Sequence, residues 1–167
     1  MPVNWRETRR HQERVVLGGK GPVDTGIMFI MSSVLAEDTV EEDRGAHGIV
    51  LKRKPCILKG AHGMALKDLA TSVGILVDRQ VYVTALCKWL LPKEALLNPK
   101  PKDCAPGVAC LEREVREIQP KIVVTFGKAA FDFMCGVKMK FNDAIGAWFW
   151  SEKYQCRVMP MQHYYYV

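Results

Sequence analysis

Ser32 and Ser33 are the polar residues best placed to act on a ligand. They follow the apolar run Gly26-Ile27-Met28-Phe29-Ile30-Met31, whose composition predicts a buried strand. In an open α/β sheet, ligands bind just past the carboxyl ends of such strands. The loop Met31-Ser32-Ser33-Val34-Leu35-Ala36 is therefore the first candidate site. It contains no carboxylate, histidine or glycine. A neutral serine can exchange hydrogen bonds there, but it brings no charge to a reaction centre.

Other reactive residues are dispersed. The six cysteines (56, 87, 104, 110, 135 and 156) include no CxxC pair, so they read as reduced thiols in core or surface positions, and no metal site is expected. The net charge of +6 permits contact with nucleic acid. Its distribution is uneven. Arg6, Arg9, Arg10 and Arg14 lie near the start, and Lys52, Arg53, Lys54 and Lys59 form a second basic cluster. Glu37, Asp38, Glu41, Glu42 and Asp43 lie between them. Each basic cluster reads either as a solvated segment or as a phosphate contact. Gly18-Gly19-Lys20-Gly21-Pro22 lacks the spacing of a nucleotide motif and reads first as a turn.

The elements that would position these residues alternate. Asn4 to Arg14 predicts a short helix anchored by Trp5, and Ile27 to Met31 a first strand. The stretch 36–44 predicts a loop or short helix. The stretch 45–63 predicts an irregular surface segment with room for one hairpin. Met64 to Val73 has helical spacing and stops at Gly74. Gln80 to Leu86 predicts a second strand, followed by a long loop from Trp89 to Lys102. Pro106 suits the first turn of a helix that continues to Gln119, with Pro120 ending it. Lys121 to Phe126 predicts a third strand, and Gly127 opens a helix from Lys128 to Cys135. Ala147 to Trp150 and Gln155 to Met161 close the pattern as strands. The expectation is one α/β domain over residues 1–167, with a central, mostly parallel sheet flanked by helices. No apolar run reaches the roughly 18 residues of a membrane span, and no secretory signal opens the chain. An intracellular, cytoplasmic protein is expected, with no membrane partner.

The order of segments resembles the uracil-DNA glycosylase superfamily, most closely its family-4 enzymes. Gly19-Lys20-Gly21-Pro22 ahead of strand one is similar to that family's GEGP entry, and Glu41-Glu42-Asp43-Arg44 to its EEDR. Gly60-Ala61-His62-Gly63 resembles the GRAG segment, and Val81-Tyr82-Val83-Thr84 the YIT strand. Leu111-Glu112-Arg113-Glu114 and the run Pro120 to Gly127 resemble LEREL and RPRVIVTLG. Pro160-Met161-Gln162-His163 resembles the last strand leading to the HP motif. The resemblance spans nearly the whole chain and implies a uracil-DNA-glycosylase-like three-layer sandwich. Such enzymes flip a base out of the stack and hydrolyse its bond to the sugar.

Carried over residue by residue, the chemistry is depleted. The acid in the loop after strand one falls on Ser32, beside Ser33. The asparagine that reads the base edge falls on Ala85, and the stacking phenylalanine on Leu58. Of the four roles only His163, which would stabilise the departing base, is kept, and the proline after it is Tyr164. The family's iron–sulfur cluster is expected to be absent. Its N-terminal cysteine pair has no counterpart near Trp5, another ligand position falls on Trp89, and the last falls near Gly107, between Cys104 and Cys110. The chain stops four residues after His163, where the family continues into a DNA-penetrating loop. The expectation is either a piece of a longer protein or a protein without that element.

Three functions stay open. The first is a DNA-binding module that lacks normal uracil excision, with Lys20, Lys52, Arg53, Lys54, Lys59, Lys88 and Lys128 as backbone contacts. Viral relatives in which such a module is fused to a replication protein make DNA replication or repair the expected setting, in the host cytoplasm if the chain is viral. The second is an active glycosylase acting on uracil or a modified pyrimidine, with Ser32, Ser33, Asp38, Glu41 or Asp43 replacing the lost acid. The third is a partner-docking subunit without a DNA role, with Trp89, Trp148, Trp150 and Tyr164 to Tyr166 as aromatic anchors for a replication protein or fused domain.

Overall fold

The computed structural model describes residues 16–39, 42–46 and 49–167; the side chains of 42–46, 49–53 and Pro106 lie outside that description. The expected helix over Asn4 to Arg14 and its arginines also fall outside it.

Five strands form one sheet. These are β1 (Ile27–Met31), β4 (Tyr82–Ala85), β5 (Ile122–Phe126), β6 (Phe149–Ser151) and β7 (Cys156–Met161), in the order β4-β1-β5-β7-β6. The first four run parallel, and β6 pairs antiparallel to β7 at the edge. β2 (Glu42–Ala46) and β3 (Ile49–Arg53) make a separate antiparallel hairpin, which starts inside the stretch expected as a loop or short helix and continues into the segment where one hairpin was expected to fit.

β1 is apolar throughout because it is central and covered on both faces. Met28 and Ile30 pack with Val123 and Val158 against α4 (Pro101–Ile118) and α5 (Lys128–Cys135), through Leu111, Val115, Phe131 and Met134. Phe29 and Met31 face the other layer. There, Leu66 and Ala70 of α2 (Ala61–Ser72) and Val77 of the short α3 (Val77–Gln80) close the core. The result is the three-layer α/β arrangement expected from the sequence. The four-residue helices α1 (Ala36–Thr39) and α6 (Phe141–Ala144) complete the set, together with a 3₁₀ turn over Tyr164–Tyr166.

Three details differ from the expectations. α4 begins five residues before Pro106, because Pro101 takes the first helical position and the Asp103 carboxylate accepts from the Lys100 N–H (2.8 Å). Pro106 is therefore an interior position. In α2 only part of the expected apolar stripe is buried, and Leu69 and Val73 face solvent. Strand two is shorter than expected, since residues 77–80 coil into α3 before it.

Candidate functional site

The chain leaves β1 toward β4 on one side and returns toward β5 on the other. The crevice beyond the carboxyl ends of β1 and β5 is thus the switch point where such sheets bind ligands. Ser32 lies at this crevice and is fully buried. The Ser32 N–H donates to the Phe126 carbonyl (2.9 Å), and its carbonyl accepts from the Cys87 N–H (3.2 Å). The Ser32 hydroxyl oxygen accepts from the N–H of Ala130 (2.9 Å), in the first turn of α5. A helix start here could otherwise offer that donor to an anion. Gly127 (φ 97°) makes the fit possible, because a Cβ there would stand 2.5 Å from the Ser32 hydroxyl.

His163 is 2% exposed, and its hydrogen bonds are taken up within the protein. The Tyr165 N–H donates to Nδ1 (3.2 Å). The neutral ring therefore carries its hydrogen on Nε2, which donates to the Ser33 hydroxyl (2.9 Å). Ser33 in turn donates to the Leu96 carbonyl. Burial pushes the His163 pKa down to about 4, with nearby His62 adding to the effect and the Ser33 contact opposing it. The histidine is neutral at pH 7, and both of its nitrogens are occupied.

The loop acids are also engaged. Asp38 is buried; one carboxylate oxygen accepts from the Gly60 N–H (2.8 Å) and the other from the Tyr164 hydroxyl (2.6 Å). That hydroxyl also accepts from the Leu35 N–H (2.8 Å). Burial raises the Tyr164 pKa well above the usual phenol value, and the Asp38 carboxylate adds to the rise. Glu37 accepts from the backbone N–H of His62 (2.8 Å) at the start of α2 and contacts its ring Nδ1 (3.0 Å), while Tyr165 stacks on that ring at 5.0 Å. Leu58, held at φ 62°, and Ala85 are fully buried with Met31, Val34, Phe126 and Tyr164 in one apolar cluster. Ser32, Ser33, Leu58, Ala85 and His163 are thus brought together, but as packed core.

The proposed backbone contacts separate. Lys88 is buried, and its ammonium donates to Glu114 (3.1 Å), Thr84 (2.7 Å) and the Ala85 carbonyl (3.0 Å). It forms an ion pair between the segment after β4 and α4, where a loop cation open to a backbone phosphate was expected. Lys59 is buried as well. Lys20 is half-buried, with its ammonium 3.5 Å from the Cys56 sulfur. Lys128 is exposed and paired with Asp132 on its own helix, and Lys54 is exposed. Lys52 and Arg53 sit on β3 with side chains outside the described residues, as do Glu41 and Asp43. Of the aromatic anchors, Trp89 and Tyr164 are core residues, whereas Trp148, Trp150, Tyr165 and Tyr166 are exposed.

The described residues do not suit the family's iron–sulfur cluster. Buried Trp89 holds one ligand position, and at Gly107 a side chain would meet the Leu86 carbonyl at 2.2 Å. Among the described residues, no group of three or more His, Cys, Asp or Glu side chains could hold a metal ion.

The roles of Tyr164 and Asp38 were not foreseen. Their partnership spans 126 residues of sequence, and the one local signal was a tyrosine where the family has the proline of its HP motif.

The sheet order, with a histidine just after the last parallel strand and a loop after the first, agrees with the framework that the sequence resemblance implies. The family comparison agrees: a model of the Uracil DNA glycosylase superfamily matches residues 7–167, and the chain belongs to that superfamily. A comparison with curated proteins finds no match. No helix among the described residues is long and apolar enough to cross a membrane.

Proposed function

We propose that this superfamily member binds DNA without excising uracil in the usual way and without an iron–sulfur cluster. The observation that carries this reading is the chain from the Tyr165 N–H through His163 and Ser33 to Leu96. It occupies the nitrogen that would otherwise donate to a departing base. Two further observations support it. Ser32, in the position of the acid, is a buried helix cap that cannot balance a cationic sugar. Ala85, in the position of the base-reading amide, has no polar side-chain atom.

The test is base release from a uracil-containing oligonucleotide, read by alkaline strand cleavage, with binding followed in parallel. Salt-sensitive binding without cleavage is expected. Cleavage that is abolished by His163→Ala would refute the reading in favour of an active glycosylase.

A further inference from the structure

A cationic surface lies at the opposite end of the sheet, at the amino ends of β5 and β7. Two cavities there, of about 460 and 340 Å³, adjoin through Lys121 and Gln155. Each is large enough for a small ligand or part of a polymer. Their cationic lining residues are Arg116, Lys121, Lys153 and Arg157, and no carboxylate lines either cavity. Glu112 stands beside the first, 3.0 Å from Arg116 and 3.4 Å from Lys153. These are exposed pairs that a phosphate can replace at little cost. Lys121 and Arg157 have no ion-pair partner among the described residues.

The sheet fixes this arrangement. The Arg157 N–H donates to the Lys121 carbonyl (3.1 Å), and Arg157 lies opposite Trp150 across the β6–β7 pair. Phe149 turns inward, packing edge-on against Phe131 at 5.0 Å. Strand alternation therefore turns Trp148 and Trp150 to the other face, where they are 54% and 51% exposed. Trp150 lines the second cavity beside Arg157 and Lys121. Tyr154 serves differently: Arg116 and Lys153 lie over its ring at 5.7 and 5.1 Å, which orients both cations.

We infer that this groove binds single-stranded nucleic acid, with a base stacked on Trp150 and adjoining phosphates on Lys121, Arg157, Arg116 and Lys153. An open indole beside several cations is the chemistry that single strands use. A duplex keeps its bases stacked on one another and offers Trp150 no ring face. The inference goes beyond the proposed function, because it puts the nucleic-acid contact away from the glycosylase-like pocket.

The experiment titrates the whole chain with a labelled single-stranded oligothymidylate at several salt concentrations, following both the label and tryptophan quenching. Thermal melts confirm that each variant is folded. Trp150→Ala is expected to weaken binding about five- to a hundredfold. Lys121→Ala with Arg157→Ala is expected to reduce the slope of log affinity against log salt by about 1.4. Lys93→Ala with Lys102→Ala, exposed and outside the groove, should change little, and Lys54→Ala with Lys128→Ala removes instead two exposed lysines expected as backbone contacts. Three results would overturn the inference: no binding at all, unchanged binding in the groove variants, or a loss with the cation pair but none with Trp150→Ala. Binding lost only in the Lys54 and Lys128 variant removes the groove while leaving a DNA-binding glycosylase-like module intact.

Discussion

The two ends of the sheet use their polar groups in opposite ways. At the carboxyl end, where the superfamily's pocket would open, Ser32, Ser33, His163 and Asp38 are each bonded to another part of the protein. Ser32 caps α5, Ser33 and His163 hold each other, and Asp38 joins Tyr164 to the turn before α2. At the amino end, Lys121, Arg157 and Trp150 are fixed by strand pairing but left facing cavities. A fold can thus keep its framework while the crevice at its switch point becomes core. Groups that satisfy one another add stability and lose availability.

The largest effect expected from breaking this contrast is at Lys88. Lys88→Met leaves the Glu114 carboxylate without its cation, with the Thr84 hydroxyl still donating to it, and should cost about 3 kcal/mol in urea unfolding. Glu114→Leu in the same chain should recover most of it. A loss of DNA affinity without loss of stability would return Lys88 to the binding surface.

Acidification should act on His163 with a similar magnitude. The folded protein binds that proton only near pH 4, whereas the unfolded chain binds it near 6.5. Between those values the unfolded state holds more protons, so stability falls as pH drops through the window, by about 3 kcal/mol in all. In His163→Asn the fall should be shallower, as measured by unfolding midpoints at pH 7, 5.5 and 4.

Tyr164→Phe removes the hydroxyl shared by Leu35 and Asp38 and should cost about 2 kcal/mol by the same unfolding measurement. The smallest effect belongs to Ser32→Ala, which removes one helix-start acceptor and should cost about 1 kcal/mol. If Ser32→Ala left stability unchanged while altering activity on DNA, Ser32 would be a working residue rather than a cap.

The fold was legible where signals were local. The apolar runs of β1 and β5 need no partner to be read, and Gly127 ahead of Lys128 marks the start of α5. The start of α4 was misplaced because Pro106 suits a first helical turn while Pro101 falls within the loop expected before it; the Asp103 contact to the Lys100 N–H that fixes the true start is visible only in the structure. The fate of the site was less legible. Strand order in the sequence already brings Ser32, Ala85 and His163 to one end of the sheet, but it carries no signal for the contacts that occupy Ser32 and His163. Lys88 read as a loop cation because Glu114 lies 26 residues away. The amino-end groove was invisible for the same reason: Arg116, Lys121, Lys153 and Arg157 form no cluster in sequence and meet only when α4, β5 and the β6–β7 turn come together.

The most direct test of the central claim is base release from a uracil-containing single strand, with binding to the same strand measured alongside. The account predicts binding that weakens with salt and no strand cleavage after alkali. Cleavage that disappears in His163→Ala would contradict it, because His163 would then have to leave Ser33 and serve the departing base.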